Sequence, residues 1–164
     1  MAEPVVITLT AMEIMLAAIC GARRHMESLL SRRADAHGAD AENGWTLHIE
    51  GAAGEMAFAR ARGVYWLPTI NGFKAPDVGR FQVRTRSRHE YDLLVRQDDS
   101  DDDMFALVTG KIPTFRVVGV ILGRDAKRPE WIQTYGGREP AYFVPQSALR
   151  PVETVHAGRG AAEL

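Results

Sequence analysis

Disulfide bridges are the first thing this chain cannot build, because its 164 residues include a single cysteine, Cys20. That usage suits a reducing compartment such as the cytoplasm, and Cys20, set in an apolar helical pattern, is expected as a small core residue. Long hydrophobic runs are missing too. Nothing approaches the ~20 apolar residues of a membrane span, so a membrane is not among the expected partners. The opening VVITLT follows Glu3 rather than a basic stretch and the next apolar run is broken by Glu13, which argues against a secretory leader. An excess of charge of one sign is also lacking: the formal net charge is -1, so bulk charge points to no particular partner. His25, His37, His48, His89 and His156 are scattered without metal-ligand spacing, and no serine or cysteine occupies a recognisable nucleophile setting. These absences set aside disulfide scaffolds, zinc sites and Ser- or Cys-based hydrolases.

What is present is 46% hydrophobic content, enough for one ordinary domain with its own core. We expect that domain over residues 1–152, followed by a flexible tail, 153–164, too poor in apolar residues to order itself. Thr10 and Glu13 form a capping-box pattern, and Met12, Leu16, Ile19, Met26 and Leu30 recur at helical spacing, which predicts a long helix over 11–32. Its basic residues Arg23, Arg24, Arg32 and Arg33 suit a helix C-terminus. The small, polar ADAHGADAENG that follows reads as a loop. A second helix is predicted over 47–62, closed by Gly63 and rich in alanine, so that it can lie close to a sheet.

From Val78 onward the pattern changes to strand formers between turns, namely VGRFQVRT, EYDLLVR, MFALVTG, FRVVGVIL and AYFV. The class expected is therefore α+β, with N-terminal helices packed on a mixed, mostly antiparallel sheet. The stretch RDAKRPEWIQTYGGREP has room for a short helix at best. The aspartate cluster DDSDDD lacks the ligand order of an EF-hand and reads as a solvated hairpin tip. Trp45, Trp66 and Trp131 read as core or rim aromatics.

Candidate chemistry gathers around APDVGRFQVRT. Strand alternation puts Arg80, Gln82, Arg84, Arg86 and Arg88 on one face and Phe81 and Val83 on the other. Asp77 precedes the strand, where Pro76 and Gly79 let the chain bend the carboxylate toward the polar face. Glu55, on the second helix, has Ala52 and Ala59 beside it and can reach past them to the sheet. Against this stand plainer readings: Pro-Asp-x-Gly is ordinary turn chemistry, and an arginine stripe also protects a sheet edge from pairing with another molecule.

A helix glutamate, Pro76-Asp77 ahead of a strand, and Gln82-Val83-Arg84 on it together resemble the PD-(D/E)XK nuclease superfamily, the restriction-endonuclease-like fold. YFVPQSALRP is similar to small phage-encoded members of that group. The resemblance implies a Mg2+ or Mn2+ dependent nuclease acting on DNA. Asp77, Gln82, Arg84 and Glu55 would be its catalytic set, with Glu55, Asp77, Gln82 and the Val83 carbonyl around the metal, Arg80, Arg86 and Arg88 along the nucleic acid, and a homodimer allowed. Hard divalent ions want such oxygen ligands, and a cation at position 84 would offset charge developing on phosphorus. This chain departs from the family pattern in having Gln82 for an acid, Arg84 for a lysine, and no evident helix between Gly110 and Phe115. Arginine cannot serve as a general base. The alternative is a catalytically inactive descendant of the fold that binds nucleic acid or protein.

Overall fold

The computed structural model describes residues 3–31, 43–70 and 75–152; the predicted tail and nearly all of the predicted polar loop fall outside them. The first strand, β1 (Val5–Thr8), leads into α1 (Ala11–Leu30). Sequence reading treated VVITLT only as a possible leader and missed this strand. The capping box forms as expected, with Thr10 N–H donating to Glu13 Oε2 at 2.7 Å and Glu13 N–H to Thr10 Oγ1 at 3.3 Å. The expectation of a basic helix end fails: the last turn of α1 carries no basic residue, Arg23 pairs with Glu27 one turn on, and Arg24 points inward. Arg32 and Arg33 lie outside the described residues.

The second helix, α2 (Gly44–Ala61), starts three residues earlier than predicted and ends with Gly63 at φ +64° and Val64 N–H reaching back to Ala59 C=O. It is buried nearly all round, from Ala52 through Ala59, because it lies between α1 and the sheet. Small residues make this sandwiching feasible. At Gly21 of α1 a Cβ would sit 2.5 Å from the Ile49 Cα, and at Gly54 of α2 it would sit 2.0 Å from the Thr85 Oγ1, so a larger side chain at either site would hold the layers apart.

Six further strands follow, β2 (Phe81–Arg86), β3 (Leu93–Arg96), β4 (Met104–Lys111), β5 (Thr114–Leu122) and, after a four-residue helix α3 (Gly123–Ala126), the two-residue β6 (Ile132–Gln133) and β7 (Ala141–Val144). The main sheet has the order β1-β5-β4-β2, antiparallel except for the parallel β2–β4 pair, and a second antiparallel sheet has the order β3-β7-β6. The α+β class and the mostly antiparallel sheet hold. The simple meander does not, because β3 leaves the main sheet and β2 pairs with β4 in parallel. Between β4 and β5 Lys111 faces Thr114 across a tight turn, so that connection contains no helix.

Alternation along β4 builds two cores. Met104, Ala106 and Val108 pack toward the helices with Phe58, Phe81 and Phe115, while Phe105 and Leu107 pack toward the second sheet with Leu93, Val95 and Val144. Both faces of β4 are buried, as expected for an inner strand of a sheet covered on both sides, here by α2 and by the second sheet. No helix among the described residues is long and apolar enough to cross a membrane.

Candidate functional site

The edge strand β2 organises the candidate site. Its residues Phe81 and Val83 turn toward the helices, and Gln82, Arg84 and Arg86 turn the other way, the alternation predicted from sequence. Ahead of it, residues 77 and 78 fold back along the open edge, with both N–H groups donating to Phe81 C=O at 2.9 and 3.2 Å. The Asp77 carboxylate then accepts from Val83 N–H at 2.7 Å through Oδ2. Because N–H and C=O of one strand residue point to the same side, the Val83 carbonyl also faces this edge. The turn reading of Asp77 therefore holds, and the bend is what brings the carboxylate to the open edge of β2.

Glu55 is 5% exposed, unusual burial for a charged side chain unless it is paired. Arg24 of α1 holds it in a fork, Nη1 to Oε1 at 2.6 Å and Nη2 to Oε2 at 2.9 Å, and the Trp66 indole N–H donates to Oε2 at 3.3 Å. Arg24 is itself held by Nε donating to Thr69 C=O at 2.8 Å. Burial pulls the Arg24 pKa down, but the Glu55 hydrogen bonds and charge more than offset this and leave it above its ordinary value. Neither Arg24 nor Trp66 was read as part of a site. The signal was present for Arg24, which continues the inward register of Ala17, Cys20 and Gly21; a lone arginine on a face of small residues asks for a buried anion.

The two carboxylates feel one another. Burial first, and the Glu55 charge second, push the Asp77 pKa up from 3.8 to about 6, while the Val83 N–H, Arg84 and Arg24 pull it back. Gln82 lies on the far side of the strand, its Nε2 donating to Asp103 Oδ2 at 3.3 Å and, more weakly, to Ala75 C=O at 3.5 Å. Arg84 does not stand free for a phosphate. Its Nη2 donates to both oxygens of Asp99 at 2.9 and 3.0 Å, and its guanidinium lies 5.3 Å from the Phe105 ring centroid.

The reading of DDSDDD holds in part: the run is largely exposed, but it is not a hairpin tip. The segment is a corner where the chain crosses from one sheet to the other, and four of its acids are engaged: Asp99 by Arg84 and Arg96 N–H, Asp103 by Gln82, Asp101 by Lys127 and Asp102 by Arg124. The arginine stripe is similarly less open than predicted. Arg86 stacks over Tyr91 at 4.8 Å, Arg88 approaches the same ring at 5.7 Å and sits 3.8 Å from Glu90, and Arg80 lies 5.6 Å from the Phe81 ring. A basic residue missed by sequence reading, Arg62, stacks on Phe81 at 4.5 Å, and burial and Arg80 together lower its pKa.

Among the described residues no three His, Cys, Asp or Glu side chains converge as a ready-made metal cage. The structure brings Asp77 near Glu55 but turns the Gln82 amide to the opposite face of β2; a half-buried acid whose proton affinity is raised by a second acid is where a divalent cation would relieve charge repulsion. Trp66 packs at the rim of the core as expected and also donates to Glu55, and Cys20 is buried as expected. Compared with protein-family models, curated proteins and solved structures, the chain matches none.

Proposed function

We propose that this protein is a metal-dependent nuclease of the restriction-endonuclease-like type, acting on DNA phosphodiester bonds. The observation that carries the reading is the mutual charge of Glu55 and Asp77 at the open edge of β2, where Asp77 is driven toward the protonated form at about pH 6. Buried titratable groups perturbed by a specific neighbour gather at functional sites. Asp77, Glu55 and the Val83 carbonyl would hold Mg2+ or Mn2+, and Gln82 would join them only by turning from Asp103 toward the open edge. When bound, the ion would polarise the scissile phosphate and lower the pKa of an attacking water.

The chain's own groups do the rest. Arg24 orients the Glu55 carboxylate, and Val83 N–H fixes the rotation of the Asp77 carboxylate. Arg84, permanently charged, stabilises negative charge on the phosphate side once the substrate competes with Asp99 for it. Arg80, Arg86 and Arg88 lie along the same strand and its extension as backbone contacts for nucleic acid, with a cytoplasmic location in keeping with the lone cysteine.

A second reading, a nucleic-acid- or protein-binding descendant without catalysis, has its own observation: Glu55 and Arg84 already have charged partners in Arg24 and Asp99. Incubation of purified protein with plasmid and single-stranded DNA in Mg2+ or Mn2+ separates them. The nuclease reading expects cleavage that Asp77→Asn abolishes. DNA retention without cleavage under every metal leaves only the binding descendant, and neither retention nor cleavage removes both.

A further inference from the structure

α1 has two apolar faces, and α2 covers just one of them. The inner face is built from small residues, Ala17, Cys20 and Gly21, with His25. On the outer face Met12, Leu16, Ile19, Arg23, Met26 and Leu30 follow one another in alternating steps of four and three residues, the heptad spacing of a helix-to-helix seam. The five apolar residues of that seam are 40–73% exposed, and Met15 and Leu29 widen it on one flank, both more than half exposed. An ordinary surface helix carries polar residues there.

We propose that α1 pairs antiparallel with α1 of a second copy of this chain, forming a two-fold dimer through this seam. Four features favour a second copy. The seven exposed side chains span a helix about 30 Å long, and a patch of that length and residue content is on the scale of the ~800 Å2 per partner that a standard interface buries. The seam is self-complementary in spacing, as a two-fold interface must be. The charges of α1 are already matched within the chain, Glu13 with Arg60, Arg24 with Glu55 and Arg23 with Glu27, so none of them requires a partner of opposite charge. Finally, the sequence that follows α1, residues 32–42, contains no Val, Leu, Ile, Met or aromatic residue and cannot supply the apolar complement. Orientation follows from Arg23: parallel packing sets it against Arg23 of the second copy, whereas antiparallel packing about the middle of the seam sets it against Ile19.

This inference does not depend on the nuclease reading and its test uses no DNA. Sedimentation equilibrium on the full chain should give a dimer at micromolar concentrations. Leu16→Glu combined with Ile19→Glu should weaken association by roughly 30-fold or more, the scale of losing a hot-spot contact. Both positions are more than half exposed, so circular dichroism and the melting temperature of the variant monomer should remain those of a folded chain. Single and paired cysteines fix the orientation: Met12→Cys with Leu30→Cys should cross-link two copies under oxidation, and Met12→Cys alone should not. A wild-type chain that stays monomeric at high concentration overturns the proposal, as does a dimer unaffected by the two glutamates. Cross-linking by Met12→Cys alone overturns the antiparallel arrangement.

Discussion

Arg24 and Glu55 join α1 to α2 through two side-by-side hydrogen bonds of 2.6 and 2.9 Å, between a guanidinium and a carboxylate that are both largely withdrawn from water. Such a pair contributes little net stability relative to apolar packing, but removing one member leaves the other charge stranded. Here the stranded charge would be Glu55, already beside Asp77.

Arg24→Met should therefore destabilise the fold by about 3 kcal/mol or more, at the lower end of measured broken buried pairs. Arg24→Met combined with Glu55→Leu should recover most of that loss. Urea titrations of the two single variants and the double variant give the coupling energy directly; simple additivity would show that the fork carries no special weight.

The pH dependence follows from Asp77. Its pKa is raised on folding, from 3.8 to about 6, so the folded state binds the proton more tightly than the unfolded chain does. Stability from this group is complete below pH 4 and is lost as pH climbs to about 6, with a slope of at most about 1.4 kcal/mol per pH unit. The difference in unfolding free energy between wild type and Asp77→Asn, measured in chelator across that window, should move against the wild type and flatten above it. Under the nuclease reading, Mg2+ at pH 7.5 should restore wild-type stability and leave Asp77→Asn unchanged. An Asn oxygen can still accept from Val83 N–H, so the variant keeps the bend.

The polar edge strand, the alanine-rich helix and the capping box were legible because each follows from local spacing. Asp77 and Glu55 were legible as residue types worth pairing. Their environment was not, since burial of Glu55 depends on Gly54 lying against Thr85 and Gly21 against Ile49, approaches between segments far apart in sequence. The same limit explains the aspartate corner: acids that look solvated as a run acquire Arg84, Gln82 and Lys127 only when β3 departs for the second sheet. β1 was missed for a simpler reason, its four residues being too short for periodicity to distinguish strand from leader.

The arginines around β2 differ in how firmly the chain already holds them. Arg62 rests on Phe81 and has no carboxylate partner among the described residues, whereas Arg84 is held by Asp99. Arg62→Met preserves an apolar stem for that ring, so the fold should persist. If Arg62 meets a phosphate, the slope of log K against log salt for single-stranded DNA should become shallower by about 0.7. Filter binding across a salt series reads this, and an unchanged slope removes Arg62 from the interface.

The glutamine at position 82 has a structural reason that a family comparison would not supply. Its Nε2 donates to Asp103 Oδ2 at 3.3 Å, so an acid at 82 would face another acid across a half-buried gap. Gln82→Glu should cost roughly 1–4 kcal/mol, the span for like charges about 4 Å apart between bulk water and the surroundings of a protein surface, and should make the fold less stable as pH rises because both carboxyls then ionise. Gln82→Glu with Asp103→Asn removes the repulsion while keeping an acid at position 82, and the new amide can donate to the glutamate. In the nuclease reading this double variant should bind Mn2+ more tightly than the wild type, by calorimetry, and cleave faster. If Gln82→Glu alone is as stable as wild type at pH 8, Asp103 does not dictate the residue at 82. If the double variant is stable yet gains no metal affinity, Gln82 lies outside the coordination sphere and the proposed donor set loses one member.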